Sequence, residues 1–176
     1  VIIDIGTGFG VPATWLLELY PQARLYGIEP NRKRVDVASR VIGNRGNVQV
    51  GLAPDIPDIP GRADTALLLD MIHQLTDDAL RLTLERIKAK LTDDGTVIIR
   101  ATVTSGEGSH WMRRMEEMRI RLGKGTPHFR TEDAIRDLTT GAGFEVTHSE
   151  PSAPGKEEIW FVAKPQGNVK QRTTGV

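Results

Sequence analysis

Short apolar runs alternate with stretches of helical spacing along the chain. The first run, Val1-Ile2-Ile3-Asp4-Ile5, reads as a buried parallel strand. The glycine-rich Gly6-Thr7-Gly8-Phe9-Gly10 then predicts a tight turn where backbone must come close to something. Trp15-Leu16-Leu17 and Leu19-Tyr20 supply the apolar content of a helix. Residues 24–29 predict a second strand that ends in an acid, Glu29. Pro30 and Asn31 open the next helix, with Asn31 as N-cap and Val35, Ala38 and Ile42 as its buried stripe. Residues 47–50 and 64–69 predict a third and a fourth strand. Thr76-Asp77-Asp78 starts a helix whose Leu80, Leu84, Ile87 and Leu91 face the sheet. Asp93-Asp94-Gly95 reads as a turn into a fifth strand over residues 96–103.

The alternation then breaks. Trp111, Met115, Met118 and Leu122 fall on one helical face, interleaved with Arg113, Arg114, Arg119 and Arg121. Glycines bracket this segment, and it follows the fifth strand, so residues 105–124 read either as a lid over the crevice mouth or as a packed helix with a solvated charged face. Thr131-Glu132-Asp133 opens a further helix that ends at Gly141 and Gly143, and residues 144–147 and 159–163 predict the last two strands. Strand, glycine turn and helix at the front of the chain mark a nucleotide-binding crevice in an open α/β sheet. The expected organisation is a single domain over residues 1–164 with a disordered tail over 165–176.

Composition narrows the classes. The 23 basic and 23 acidic residues cancel, so no global field favours nucleic acid or an anionic membrane. The absence of cysteine excludes disulfides, thiolate catalysis and a cysteine zinc site. No signal peptide or membrane-length apolar run is visible, which makes cytoplasmic the default expectation. Because the chain opens directly on a core strand, it is expected to be part of a longer protein.

Two ligand classes use such a glycine turn. A dinucleotide site wants G-x-G-x-x-G, but that last position is Val11 and the third glycine comes one residue early. Asp4, two residues before the turn, suits a cationic ligand better than a pyrophosphate. The pattern Asp4-x-Gly6-x-Gly8-x-Gly10 resembles the first motif of the class I S-adenosylmethionine (SAM)-dependent methyltransferases. Gly141-Ala142-Gly143-Phe144-Glu145-Val146 also resembles that family, where the last helix gives way to an antiparallel hairpin.

The resemblance implies a Rossmann-like doubly wound α/β fold. Its sheet would have seven mostly parallel strands, helices on both faces and an antiparallel edge strand. It implies SAM as cofactor, S-adenosylhomocysteine (SAH) as product, and a cofactor site built from Asp4, Gly6, Thr7, Gly8, Gly10, Glu29, Pro30, Leu52, Ala53, Asp55 and Asp70. Glu29 falls where the family places an acid that binds the ribose hydroxyls. Leu52 departs from the acid often found after the third strand, and Asp55 is either an adenine-edge contact or a turn cap. Asp70 and His73 follow the fourth strand and face the substrate side of the crevice, with His73 a candidate general base or a helix-start residue satisfied by backbone. A small-molecule acceptor is expected, with no nucleic acid and no membrane span. Two other readings stand beside this one: a non-catalytic module of the same fold, and an NAD-dependent oxidoreductase.

Overall fold

The structure, a computed structural model, describes residues 1–104 and 127–167. Seven strands form one sheet: β1 (Ile2–Ile5), β2 (Leu25–Glu29), β3 (Gly46–Val50), β4 (Ala63–Leu69), β5 (Leu91–Thr102), β6 (Phe144–Pro151) and β7 (Glu158–Pro165). Their spatial order is β3-β2-β1-β4-β5-β7-β6. β1 pairs in parallel with β2 on one side and β4 on the other, so the order reverses at β1. Both antiparallel pairings, β5 with β7 and β7 with β6, lie at one edge of the sheet. The reversed strand itself is β7, one in from that edge.

Four described helices carry the crossovers: α1 (Val11–Leu19), α2 (Arg32–Ile42), α3 (Asp77–Lys90) and α4 (Glu132–Gly141). β1 is buried along its whole length because both faces are covered. Ile3 and Ile5 join the core beneath α3 and α4, and Ile2 joins a second core with Leu17 of α1 and Val35, Ala38 and Ile42 of α2. The α2 stripe is therefore the one its spacing predicted, and the Asn31 side chain caps it by accepting from the Lys33 and Arg34 amides. Thr76 and Thr131 cap α3 and α4 in the same way.

The outer face of α1 is different. Only Ala13 and Leu17 are buried, while Val11, Trp15 and Leu19 are each more than half exposed. One narrow stripe closes the helix on the sheet, with Leu16 packed partly buried beside it. Asp93-Asp94-Gly95 is not a turn before β5 but an irregularity inside it. Ala63 pairs with Leu91 and Thr65 with Thr96, so the extra residues loop out of register. The Arg62 side chain holds the start of this stretch by donating to the Leu91 carbonyl at 2.7 Å. At the far end, β7 runs through Pro165 and the Gln166 amide donates to the Gly143 carbonyl. Residues 168–176, the rest of the expected tail, and the 105–124 segment, read as a lid or a packed helix, lie outside the described residues.

Gly27, in the middle of β2, couples the sheet to the glycine turn. A Cβ built there would stand 2.1 Å from the Thr7 hydroxyl oxygen and 3.2 Å from the Asp4 carbonyl. Gly27→Ala should therefore cost about 1–3 kcal/mol of stability, the usual penalty of overpacking. Urea denaturation of Gly27→Ala in wild-type and Thr7→Ala backgrounds checks this. The penalty should shrink in the second background, and a penalty independent of Thr7 would mean that the clash is not the cause.

Candidate functional site

The reversal of strand order at β1 opens a crevice beyond the carboxyl ends of β1, β2 and β4. A cavity of about 130 Å³ sits there. Gly6 and Gly8 line it from the glycine turn, and Glu29, Pro30 and Arg34 from the β2–α2 connection. Gly51, Leu52 and Ala53 close it after β3, and Asp70, Met71, Gln74 and Leu75 form the wall after β4.

All three glycines of the turn have positive φ, +79° at Gly6, +59° at Gly8 and +82° at Gly10. Packing explains two of them further. A Cβ on Gly6 would press on the Met71 side chain at 3.2 Å, and one on Gly10 on Ala38 at 3.3 Å. At Gly8 the nearest atom among the described residues would be 4.0 Å away, so none of them claims the space beside it. The Gly6 and Thr7 amides both donate to the Ile28 carbonyl, which turns the chain sharply off β1. The Thr7 hydroxyl donates to the Asp4 carbonyl at 3.2 Å, inside the protein. Asp4, Thr7 and Gly10 thus support the turn from behind, and Gly6 and Gly8 face the cavity.

Glu29 is the chemical centre of the site. Its residue is only 3 % exposed, yet one carboxylate oxygen accepts from the Gly8 amide at 3.1 Å and the other from the Asn31 amide at 3.0 Å. Charge-assisted bonds to backbone amides are the usual condition for a buried carboxylate. The Arg34 guanidinium stands 3.7 Å from the same group and lies over the Phe9 ring at 5.4 Å. Asp4 is fully enclosed. Burial pushes its carboxyl up to about 7, the Glu29 charge adds to the rise, and the Thr7 hydrogen bond opposes it.

The remaining expected residues divide. Leu52 and Ala53 line the cavity, with Leu52 exposed and Ala53 buried. Asp55 does not line it. Its carboxylate pairs with Arg86 at 2.7 Å, and Arg86 also donates to the Pro54 carbonyl, so the expected adenine-edge contact gives way to an ion pair. Asp70 lines the cavity in a left-handed conformation, φ 54°. Arg100 grips its carboxylate through two nitrogens, Nε at 2.9 Å and Nη2, and lies over the Trp160 ring at 5.0 Å. Asp70 therefore reaches the site with its charge already matched.

His73 sits outside the cavity lining, in a short 3-10 turn over Ile72–Gln74. Its ring stacks on Phe129 with centroids 5.4 Å apart and planes 20° from parallel. Burial lowers its pKa from the ordinary histidine value, with Asp70 opposing and Arg130 assisting, so the imidazole is neutral at neutral pH. Its backbone carbonyl accepts from the His128 amide at 2.6 Å. Arg34, Met71, Gln74 and Leu75 entered the site unannounced. Only Arg34 carried a usable signal, since it lies one helical turn beyond the strand-end acid. Among the described residues no group of histidines and carboxylates is placed to hold a metal, and no helix is long and apolar enough to cross a membrane.

Comparison with known proteins places this geometry. The family model of a methyltransferase domain matches residues 1–149. The uncharacterized methyltransferase YrrT of Bacillus subtilis (strain 168) is 23% identical over 166 residues, covering 92% of this chain and 75% of that protein. The solved structure of the mitomycin 7-O-methyltransferase MmcR superposes with a TM-score of 0.73 at 20% identity, over 93% of this chain and 48% of that one. LepI in complex with SAM superposes with a TM-score of 0.73 at 18% identity, over 94% of this chain and 42% of that one. The chain thus spans less than half the length of these two structures, and at such identities they bear on the fold alone. The family model covers most of the sequence, and on that ground the chain belongs to the methyltransferase-domain family.

Proposed function

We propose that the chain binds SAM in the cavity between the glycine turn and Glu29 and transfers its methyl group to a small-molecule acceptor in the cytoplasm. One observation carries this reading. A buried carboxylate, held in place by two backbone amides, faces a glycine turn whose middle residue has no described neighbour closer than 4.0 Å to where a Cβ would be. The residues present suit the cofactor. Glu29 would accept from the ribose hydroxyls, Leu52 and Ala53 would lie against the adenine, and Gly6 and Gly8 would let the ligand approach the backbone.

When bound, SAM supplies an activated methyl group on a sulfonium that leaves as a neutral thioether. The protein then has to hold donor and acceptor in line and keep water out. An acceptor that must lose a proton needs a base, and neutral His73 beside the post-β4 wall is the candidate for it. Membership in a methyltransferase family supports this over hydride transfer from a dinucleotide, as does Val11 at the place of the needed glycine.

Isothermal calorimetry with SAM, SAH and NADH tests the reading. SAM and SAH should bind and NADH should not. Glu29→Ala should weaken SAH by about 1.5–3 kcal/mol, the range for hydrogen bonds to a charged group. Under a twofold change in a folded variant would remove the ribose role. Gly8→Val should abolish binding by filling the free space next to the turn, with circular dichroism confirming the fold. Unchanged affinity would sink the turn assignment.

The raised Asp4 carboxyl adds a pH signature. In the free protein this group takes up a proton on folding between pH 3.8 and about 7, so its contribution to stability is lost as pH rises through that window. A cation bound nearby favours the carboxylate and expels the proton. SAM affinity should therefore climb as pH rises toward neutrality and level off above about 7, with SAH, which lacks the sulfonium, changing less. Asp4→Asn should flatten the difference between the two ligands. A SAM-to-SAH affinity ratio that does not vary with pH in the wild type would show that Asp4 does not sense the ligand's charge.

A further inference from the structure

Arg130 is charged and only 7 % exposed. A guanidinium in that position is costly unless every nitrogen finds a partner. Here every one does. Nε donates to the Asp77 carboxylate at 2.8 Å, Nη1 to the Ile72 carbonyl at 3.0 Å and the His128 carbonyl at 2.9 Å, and Nη2 to the Leu75 carbonyl at 2.6 Å.

Two of these acceptors belong to the wall of the candidate site. Ile72 and Leu75 bracket the short turn that carries His73 and Gln74, which the Leu75 amide closes by donating to the Ile72 carbonyl at 3.1 Å. Met71, Gln74 and Leu75 of the same stretch line the cavity. The backbone of Arg130 is fixed independently, through a bridge to Val103 and the Thr104 amide donating to its carbonyl at 2.9 Å. The His128 amide, two residues away, donates to the His73 carbonyl. Arg130 thus joins three things that are far apart in sequence: the wall after β4, the first turn of α3 at Asp77, and the strap 128–130 against the end of β5.

We propose that Arg130 is a positioning residue for the cofactor cavity, locking the Met71–Leu75 wall to the 128–130 strap so that filling the cavity and ordering the strap are coupled. This rests on the SAM-binding reading for the identity of the ligand, but the wall-to-strap lock stands on the hydrogen bonds themselves.

Hydrogen exchange on the full chain, with and without SAH, tests it. In the wild type, SAH should slow exchange at the Gln74 and Leu75 amides and also at His128, which does not line the cavity. In Arg130→Met, exchange at Gln74 and Leu75 should quicken in the free protein. SAH affinity should fall about tenfold, equivalent to losing one charge-assisted hydrogen bond. Protection of His128 by SAH should disappear, and Arg130→Lys should recover part of both effects. A merely structural arginine would lower the melting temperature and leave the affinity of the folded variant unchanged. Affinity within twofold of wild type in folded Arg130→Met would therefore overturn the proposal. So would SAH that protects Gln74 and Leu75 in the wild type without reaching His128, a result that needs no variant to fold. If SAH fails to bind the wild type, the SAM reading falls. The lock is then judged by exchange at Gln74 and Leu75 in the free variants, where unaltered rates would overturn it.

Discussion

The site depends on the two backbone amides that hold the Glu29 carboxylate. One belongs to Gly8 in the turn after β1, the other to Asn31 at the start of α2. Through them a single side chain joins the glycine turn to the neighbouring strand–helix connection. The same Asn31 caps α2 with its own side chain, so the helix start and the carboxylate are fixed by one residue. The Gly8 conformation, left-handed and unsupported by packing, is held on one side by this bond. This bond works together with the Gly6 and Thr7 amides on the Ile28 carbonyl to set the distance of the turn from β2.

The arrangement concentrates two acids near the end of β1. Asp4 and Glu29 lie close enough for the charge of one to raise the pKa of the other, and both are buried. Without a ligand this is a cost for Asp4, because burial and the neighbouring charge disfavour its carboxylate. The cost is tolerable only if something else gains. A cation beside β1 would restore the Asp4 charge and lower the cost, which is why an awkward acid behind a glycine turn is better read as part of a binding device than as a packing residue.

Legibility in the sequence followed sequence distance. The strands, the glycine turn and the acid at the end of β2 were readable because each is set by neighbours within a few positions: alternation, positive φ and a strand end. The roles of Asp55, Asp70 and His73 were not, because their partners come from far along the chain. Arg86 claims Asp55 from 31 residues on, and Arg100 claims Asp70 from 30. Phe129 packs on His73 from the other side of the fifth strand. Arg130 left no local trace at all, since its acceptors Ile72 and Leu75 lie 58 and 55 residues earlier. The helical spacing of α1 was legible, but how little of it the sheet covers was not.

Long-range pairing also decides what charge the cavity presents. The chain has as many basic as acidic residues, so selectivity must come from which charges are left poorly matched near the ligand. Asp55 and Asp70 are matched by arginines at 2.7 and 2.9 Å, and Asp77 is matched by Arg130 at 2.8 Å. The arginine nearest Glu29 stands farther off, at 3.7 Å, and is itself partly in solvent, where its attraction is screened. With Asp4 behind it, Glu29 leaves the carboxyl end of β1 and β2 with a negative bias that survives the overall neutrality of the chain. A pyrophosphate would meet that bias as repulsion, and a sulfonium and an ammonium would meet it as attraction. On the proposed reading, these poorly matched acids favour SAM over a dinucleotide as much as the spacing of the glycines does.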